Sequence, residues 1–100
     1  MFFQITHTHT NETCPAQSPE ATQRYGAWWQ ALKQTPGLTV LGGYVSPMDH
    51  TFHITVEADD YAVVARAMGP LNTIGSGHTC PVLTLDQVMP MAAEGAFRMS

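Results

Sequence analysis

Residues 51 to 57, Thr-Phe-His-Ile-Thr-Val-Glu, alternate without a break: Phe52, Ile54 and Val56 point one way, Thr51, His53 and Thr55 the other. This is a strand with one apolar and one polar face. The rest of the chain has to supply both its neighbours and a cover for the apolar side. Residues 2 to 9 alternate β-branched and aromatic residues with polar ones and make a first strand. Residues 10 to 17 are polar, contain Cys14-Pro15, and form a loop. Ser18-Pro19-Glu20 opens a helix with a capping hydroxyl, a proline whose missing N–H costs nothing there, and an acid in the first turn. Ala21, Tyr25, Trp28 and Leu32 then recur at helical spacing until Pro36-Gly37 ends the run. Trp28 fits the core stripe, and Trp29 beside it reaches toward an interface.

Leu38 to Val45 reads as the second strand, with Gly42-Gly43 marking a bulge or a close backbone approach. Ser46 to Asp49 is a turn short enough for a hairpin into the strand at 51 to 57. Asp59 can cap a second helix with Tyr61, Val64, Ala65 and Met68 as its apolar stripe, stopped by Gly69-Pro70. A loop through Gly75-Ser76-Gly77 leads to a fourth strand at about Thr79 to Leu85. The expected fold class is therefore α+β, a ferredoxin-like βαββαβ domain over residues 1 to 88 with a C-terminal tail over 89 to 100. Right-handed crossovers imply the sheet order 4-1-3-2, in which the third strand is taken to run parallel to the first. The tail has no strong pattern and is expected to be partly helical or mobile; Met89, Met91 and Met99, spread along it, are read as gap-fillers or as part of a disordered stretch.

Two helices cover one sheet face and leave the other bare. Only 12% of the 100 residues are charged, against roughly 25% in typical soluble domains, so the bare face has little to keep it in water. Packing two such sheets face to face, as a dimeric α+β barrel, is the expected solution, and the expected partner is a second copy of the chain. The formal net charge is -4 and there is no basic run, which excludes a phosphate-binding surface and hence a nucleic-acid partner. No apolar stretch approaches the roughly 20 residues a bilayer requires, and the N-terminus lacks a signal-peptide pattern. No membrane partner and a cytoplasmic location are expected.

Groups able to do chemistry collect near one end of the sheet. His7-Thr8-His9 ends the first strand, Cys14 follows in the loop, and His78-Thr79-Cys80 opens the fourth strand, which runs antiparallel beside the first. His7 and His9 share a face about 7 Å apart at Cα. A His-X-His pair with nearby thiols suits a zinc or copper ion, whereas magnesium and calcium prefer oxygen ligands. The candidate metal ligands are His7, His9, Cys14, His78 and Cys80. Because Phe3 and Ile5 share parity with His7 and His9, those histidines fall on the helix side if Phe3 and Ile5 do. His78 and Cys80 must then reach the same side. The same residues also suit a structural role: histidines filling a polar interior and a small buried cysteine. His53 on the polar face is the candidate catalytic residue, a proton shuttle inside the barrel. His50, in the hairpin, is expected in solvent. No Gly-X-Ser-X-Gly, Cys-X-X-Cys or dinucleotide fingerprint occurs, and Gly75-Ser76-Gly77 lacks the lysine and helix of a phosphate loop.

Ile5-Thr6-His7-Thr8-His9 with Cys14-Pro15, Asp49-His50-Thr51-Phe52-His53, Glu57-Ala58-Asp59-Asp60 and the stretch from Ile74-Gly75 to Pro81-Val82 resemble a small bacterial family of domains of unknown function placed in the dimeric α+β-barrel superfamily. The resemblance spans about residues 1 to 88. It implies a homodimer with a cavity in each half. That superfamily contains cofactor-free monooxygenases, muconolactone isomerase-like enzymes, haem-binding proteins and ligand-sensing domains, so no single reaction and no catalytic residue carries over. Three functions stand open at this point. The first is a zinc- or copper-binding homodimer; the second a cofactor-free isomerase or monooxygenase using His53; the third a module binding a small-molecule ligand in the barrel cavity.

Overall fold

The structure is a computed structural model describing residues 1–98, so the last two residues of the tail, Met99 included, lie outside the described residues. Four strands form one sheet: β1 (Phe2–His9), β2 (Leu38–Ser46), β3 (Thr51–Ala58) and β4 (Gly75–Val82). Three α-helices accompany them: α1 (Pro19–Leu32), α2 (Tyr61–Met68) and α3 (Leu85–Ala93). Short 3-10 turns at Pro15–Gln17, Pro47–Asp49 and Gly69–Thr73 fill the corners. The sheet order is β2-β3-β1-β4, the expected order read from the opposite edge.

Every neighbouring pair of strands is antiparallel, including β1 with β3, which corrects the expected parallel run of those two. The reason is topological. Each helical crossover returns the chain in its starting direction, and the β2–β3 hairpin reverses it. Interleaving the two crossover pairs then sets opposite directions side by side.

The first helix starts where its cap predicts. The Ser18 hydroxyl accepts from the Ala21 N–H at 3.1 Å. For α2 the cap is Asp60, one residue later than expected, accepting from the Val63 N–H at 3.0 Å. Phe3, Ile5, Ile54, Val56 and Ala58 from the sheet bury themselves with Tyr25 and Leu32 of α1, Val64 and Met68 of α2, and Leu71. Burial of a leucine side chain such as Leu32 or Leu71 contributes about 1.5–3 kcal/mol. The Trp28 indole N–H donates to the Ala67 carbonyl at 2.9 Å and ties the two helices together.

In β2 the register slips between Val40 and Gly42, the bulge its glycines suggest. The fourth strand begins earlier than expected, at Gly75, and ends at Val82. A Cβ on Gly75 would stand 2.1 Å from the Thr8 carbonyl oxygen, so this glycine lets β4 come in against β1 and is part of the strand rather than a loop. The helical part of the tail starts earlier than expected: residues 85 to 93 form α3, held by a capping box. Thr84 Oγ1 accepts from the Gln87 N–H at 3.1 Å, and Gln87 Oε1 accepts from the Thr84 N–H at 2.8 Å. This helix has no buried residue. The radius of gyration is 16.0 Å, against about 13 Å for a compact 100-residue domain. Among the described residues no helix is long and apolar enough to cross a membrane.

Candidate metal centre

Three segments meet at the end of the sheet where β1 stops. The β1 register places Phe3, Ile5, His7 and His9 on the helix-covered face, and all four are buried. Beyond β1, Thr10 and Thr13 close a tight turn through reciprocal side-chain bonds of 2.9 Å and 3.1 Å. That turn sends the chain back so that Cys14 starts the Pro15–Gln17 turn, its sulfur accepting from the Ala16 N–H at 3.4 Å. Thr22 of α1 donates its hydroxyl to the Pro15 carbonyl at 2.7 Å and anchors the loop to the helix.

The third segment is the β2–β3 hairpin. Because β3 runs antiparallel to β1, the start of β3 lies against the end of β1: Thr8 faces Thr51, and the His9 N–H donates to the His50 carbonyl at 3.0 Å. His50 sits at φ 52°, in the left-handed region, the single described non-glycine residue with positive φ. A non-glycine residue there carries a conformational cost. The outcome is that its ring meets the His9 ring edge-on, with centroids 5.3 Å apart.

His9, Cys14 and His50 are grouped so that they could hold a metal ion, one ligand atom from each lying within 4.8 Å of the others. Around a tetrahedral zinc ion such atoms sit about 3.3–3.6 Å apart, so small side-chain rotations close the set. The Nδ1 atoms of His9 and His50, and of His7 beside them, are buried without a hydrogen-bond partner. Orphaned buried nitrogens of this kind are costly and uncommon in folded proteins. Burial lowers the pKa of His9 from its ordinary 6.5, and the nearby charges of His50 and His7 push the same way. A neutral imidazole with a bare lone pair is the form that binds metals.

The five candidate ligands do not converge. His7 is next to the group, its ring centroid 6.2 Å from that of His9 and its Nδ1 also buried without a partner, but it lies outside the three-residue set; its Nε2 is 2.7 Å from the Leu71 carbonyl. A carbonyl can only accept, so Nε2 carries the proton and donates. His78 pairs across the sheet with Thr6, and Cys80 with Gln4. Thr6 and Gln4 alternate with His7 and Ile5, so His78 and Cys80 lie on the bare face, opposite His7 and His9. Strand alternation separates what proximity along β1 and β4 suggested. Cys14 and Cys80 are both free thiols.

His50 takes a place in the group instead of standing in solvent as expected. The parallel assignment of β3 hid it, because that direction moves the hairpin to the far end of β1. His53 lies on the bare face between Thr6 and Tyr44, 3.1 Å from the Ser46 hydroxyl.

A family model for a domain of unknown function, DUF3303, matches residues 1–96. The chain belongs to this family. No curated protein matches it. Among solved structures, this DUF3303 chain is similar to a protein of Deinococcus radiodurans R1 provisionally described as a transposase and determined at 1.90 Å. The two share 10% identity over 96% of this chain and 89% of that one, with a TM-score of 0.47.

Proposed function

We propose that this DUF3303 protein binds a transition-metal ion through His9, Cys14 and His50. The observation that carries the reading is the group itself: two imidazoles and a thiol drawn from three separate segments, with both imidazole Nδ1 atoms buried and unpartnered. Two nitrogens and a sulfur favour zinc or copper over magnesium or calcium. Three protein ligands leave a fourth position for water or a bound molecule, the pattern of zinc sites that do chemistry rather than of closed structural ones.

The working form is proposed to be a homodimer. The uncovered sheet face carries Thr6, Thr55, His53, His78 and Cys80 with few charges, and α3 exposes Leu85 and Met89 without a partner. Both surfaces gain from a second copy.

Elemental analysis of the untagged protein, with native mass measured on the same sample, tests both statements. About one zinc or copper per chain is expected, in a particle of twice the 10.9 kDa chain mass. Cys14→Ser should abolish the metal, while Cys80→Ser and His78→Gln, altered on the other face, should retain it. Metal that follows Cys80 rather than Cys14, or a protein that takes up neither ion, overturns the assignment; a monomer overturns the dimer.

A further inference from the structure

A pocket of about 410 Å³ opens between α1 and the β2–β3 half of the sheet, on the helix-covered side. Its size is that of a small-molecule site. Tyr25, Trp28, Trp29 and Phe52 give it aromatic walls, Gly43 to Val45 of β2 border it, and no charged side chain lines it. Two of its polar groups are engaged within the chain: the Trp28 N–H is given to Ala67 and the Thr22 hydroxyl to Pro15. A charged guest would find nothing to pair with and would lose its hydration, whereas flat rings stack on such walls.

The two glycines of the lining differ in a way that shows the space is kept open. At Gly43 a Cβ would lie 2.3 Å from the Trp29 ring, so that glycine exists to let Trp29 rest on the sheet. At Gly26, inside α1, a Cβ would meet nothing within 4 Å. Glycine is the poorest helix former after proline, and packing makes no demand for it here. What its missing side chain leaves is pocket volume.

We infer that this pocket binds an uncharged, flat, largely aromatic small molecule, walled in part by Gly26. The pocket adjoins the metal group without sharing its ligands. Pro15 and Ala16, which follow Cys14, line it, and so does Phe52, whose ring centroid is 5.1 Å from that of His9. It therefore stands whether or not the three donors hold an ion.

The test uses N-phenyl-1-naphthylamine, an uncharged fluorophore that brightens in apolar surroundings and accepts energy from tryptophan. It is titrated into the full chain with and without EDTA. Saturable binding of one probe per chain is expected, with energy transfer from tryptophan and no dependence on EDTA. Gly26→Leu should weaken it at least tenfold while circular dichroism and melting temperature stay at or above wild type. Gly26→Ala, which any α1 helix tolerates, should fall between. Absent or non-saturable binding overturns the inference, as does wild-type affinity in a folded Gly26→Leu or, should that variant not fold, in Gly26→Ala. Binding that appears only on dilution below the range where the chain self-associates also overturns it, because a second copy then fills the pocket.

Discussion

Replacing His50 by asparagine separates a metal ligand from a packing residue. At φ 52° the backbone of His50 lies where an ordinary side chain pays about 1–2 kcal/mol, and asparagine is among the residues that accept this conformation most readily. The variant recovers part of that cost and loses one edge-on ring contact with His9, worth about 0.5–1.5 kcal/mol. The two nearly cancel, so the metal-free His50→Asn protein should unfold within about 1 kcal/mol of wild type. For a 100-residue domain that is a melting shift of no more than about 4–8 °C. With zinc the two proteins should part. At a free zinc concentration a hundredfold above Kd, wild type gains about 2.7 kcal/mol, and a hundredfold loss of affinity cuts the gain to RT ln 2, about 0.4 kcal/mol. Urea unfolding with EDTA and again in buffered zinc measures both differences. If His50→Asn loses more than about 2 kcal/mol without metal and keeps the full zinc gain, the imidazole is a structural filler and the reasoning fails.

Two further outcomes follow from the same geometry. His9 has a pKa below 6.5 in the folded chain, so as pH falls below 6.5 the unfolded state takes up a proton that the native state refuses. Metal-free stability should therefore be greatest above pH 6.5 and decline below it, by at most about 1.4 kcal/mol per pH unit from this group, until pH passes the folded pKa. Guanidinium melts between pH 5 and 8 would show this slope, and it should flatten in His9→Gln. Gly75→Ala should be among the most damaging single-methyl changes in the chain, because its Cβ would be 2.1 Å from the Thr8 carbonyl oxygen and a backbone atom cannot step aside. A loss above about 2 kcal/mol in chemical denaturation is expected, and a neutral result would mean that β4 does not pair there.

Much of this fold was legible in local chemistry. The alternation at 51 to 57, the Ser18-Pro19-Glu20 start of α1 and the double glycine of β2 each state their own conformation, since caps, turns and pleats depend on near neighbours. Even α3 had its signal in Thr84 and Gln87, three apart as a capping box requires. At Gly75 to Gly77 local propensity misled: glycine suggests a loop, and only the approach of β1 makes it a strand.

The candidate site divides along the same line. That histidine and thiol donors lie near the end of β1 follows from residue types and strand periodicity, which pair His7 with His9 and put both on the face of Phe3 and Ile5. Which donors meet is a matter of strand direction and of faces. An antiparallel β3 brings His50 to His9, and the β1–β4 register turns His78 and Cys80 to the far side of the sheet. Side-chain identity is inscribed residue by residue. The meeting of residues 9, 14 and 50 depends on three segments arriving together, and packing of the whole chain decides that.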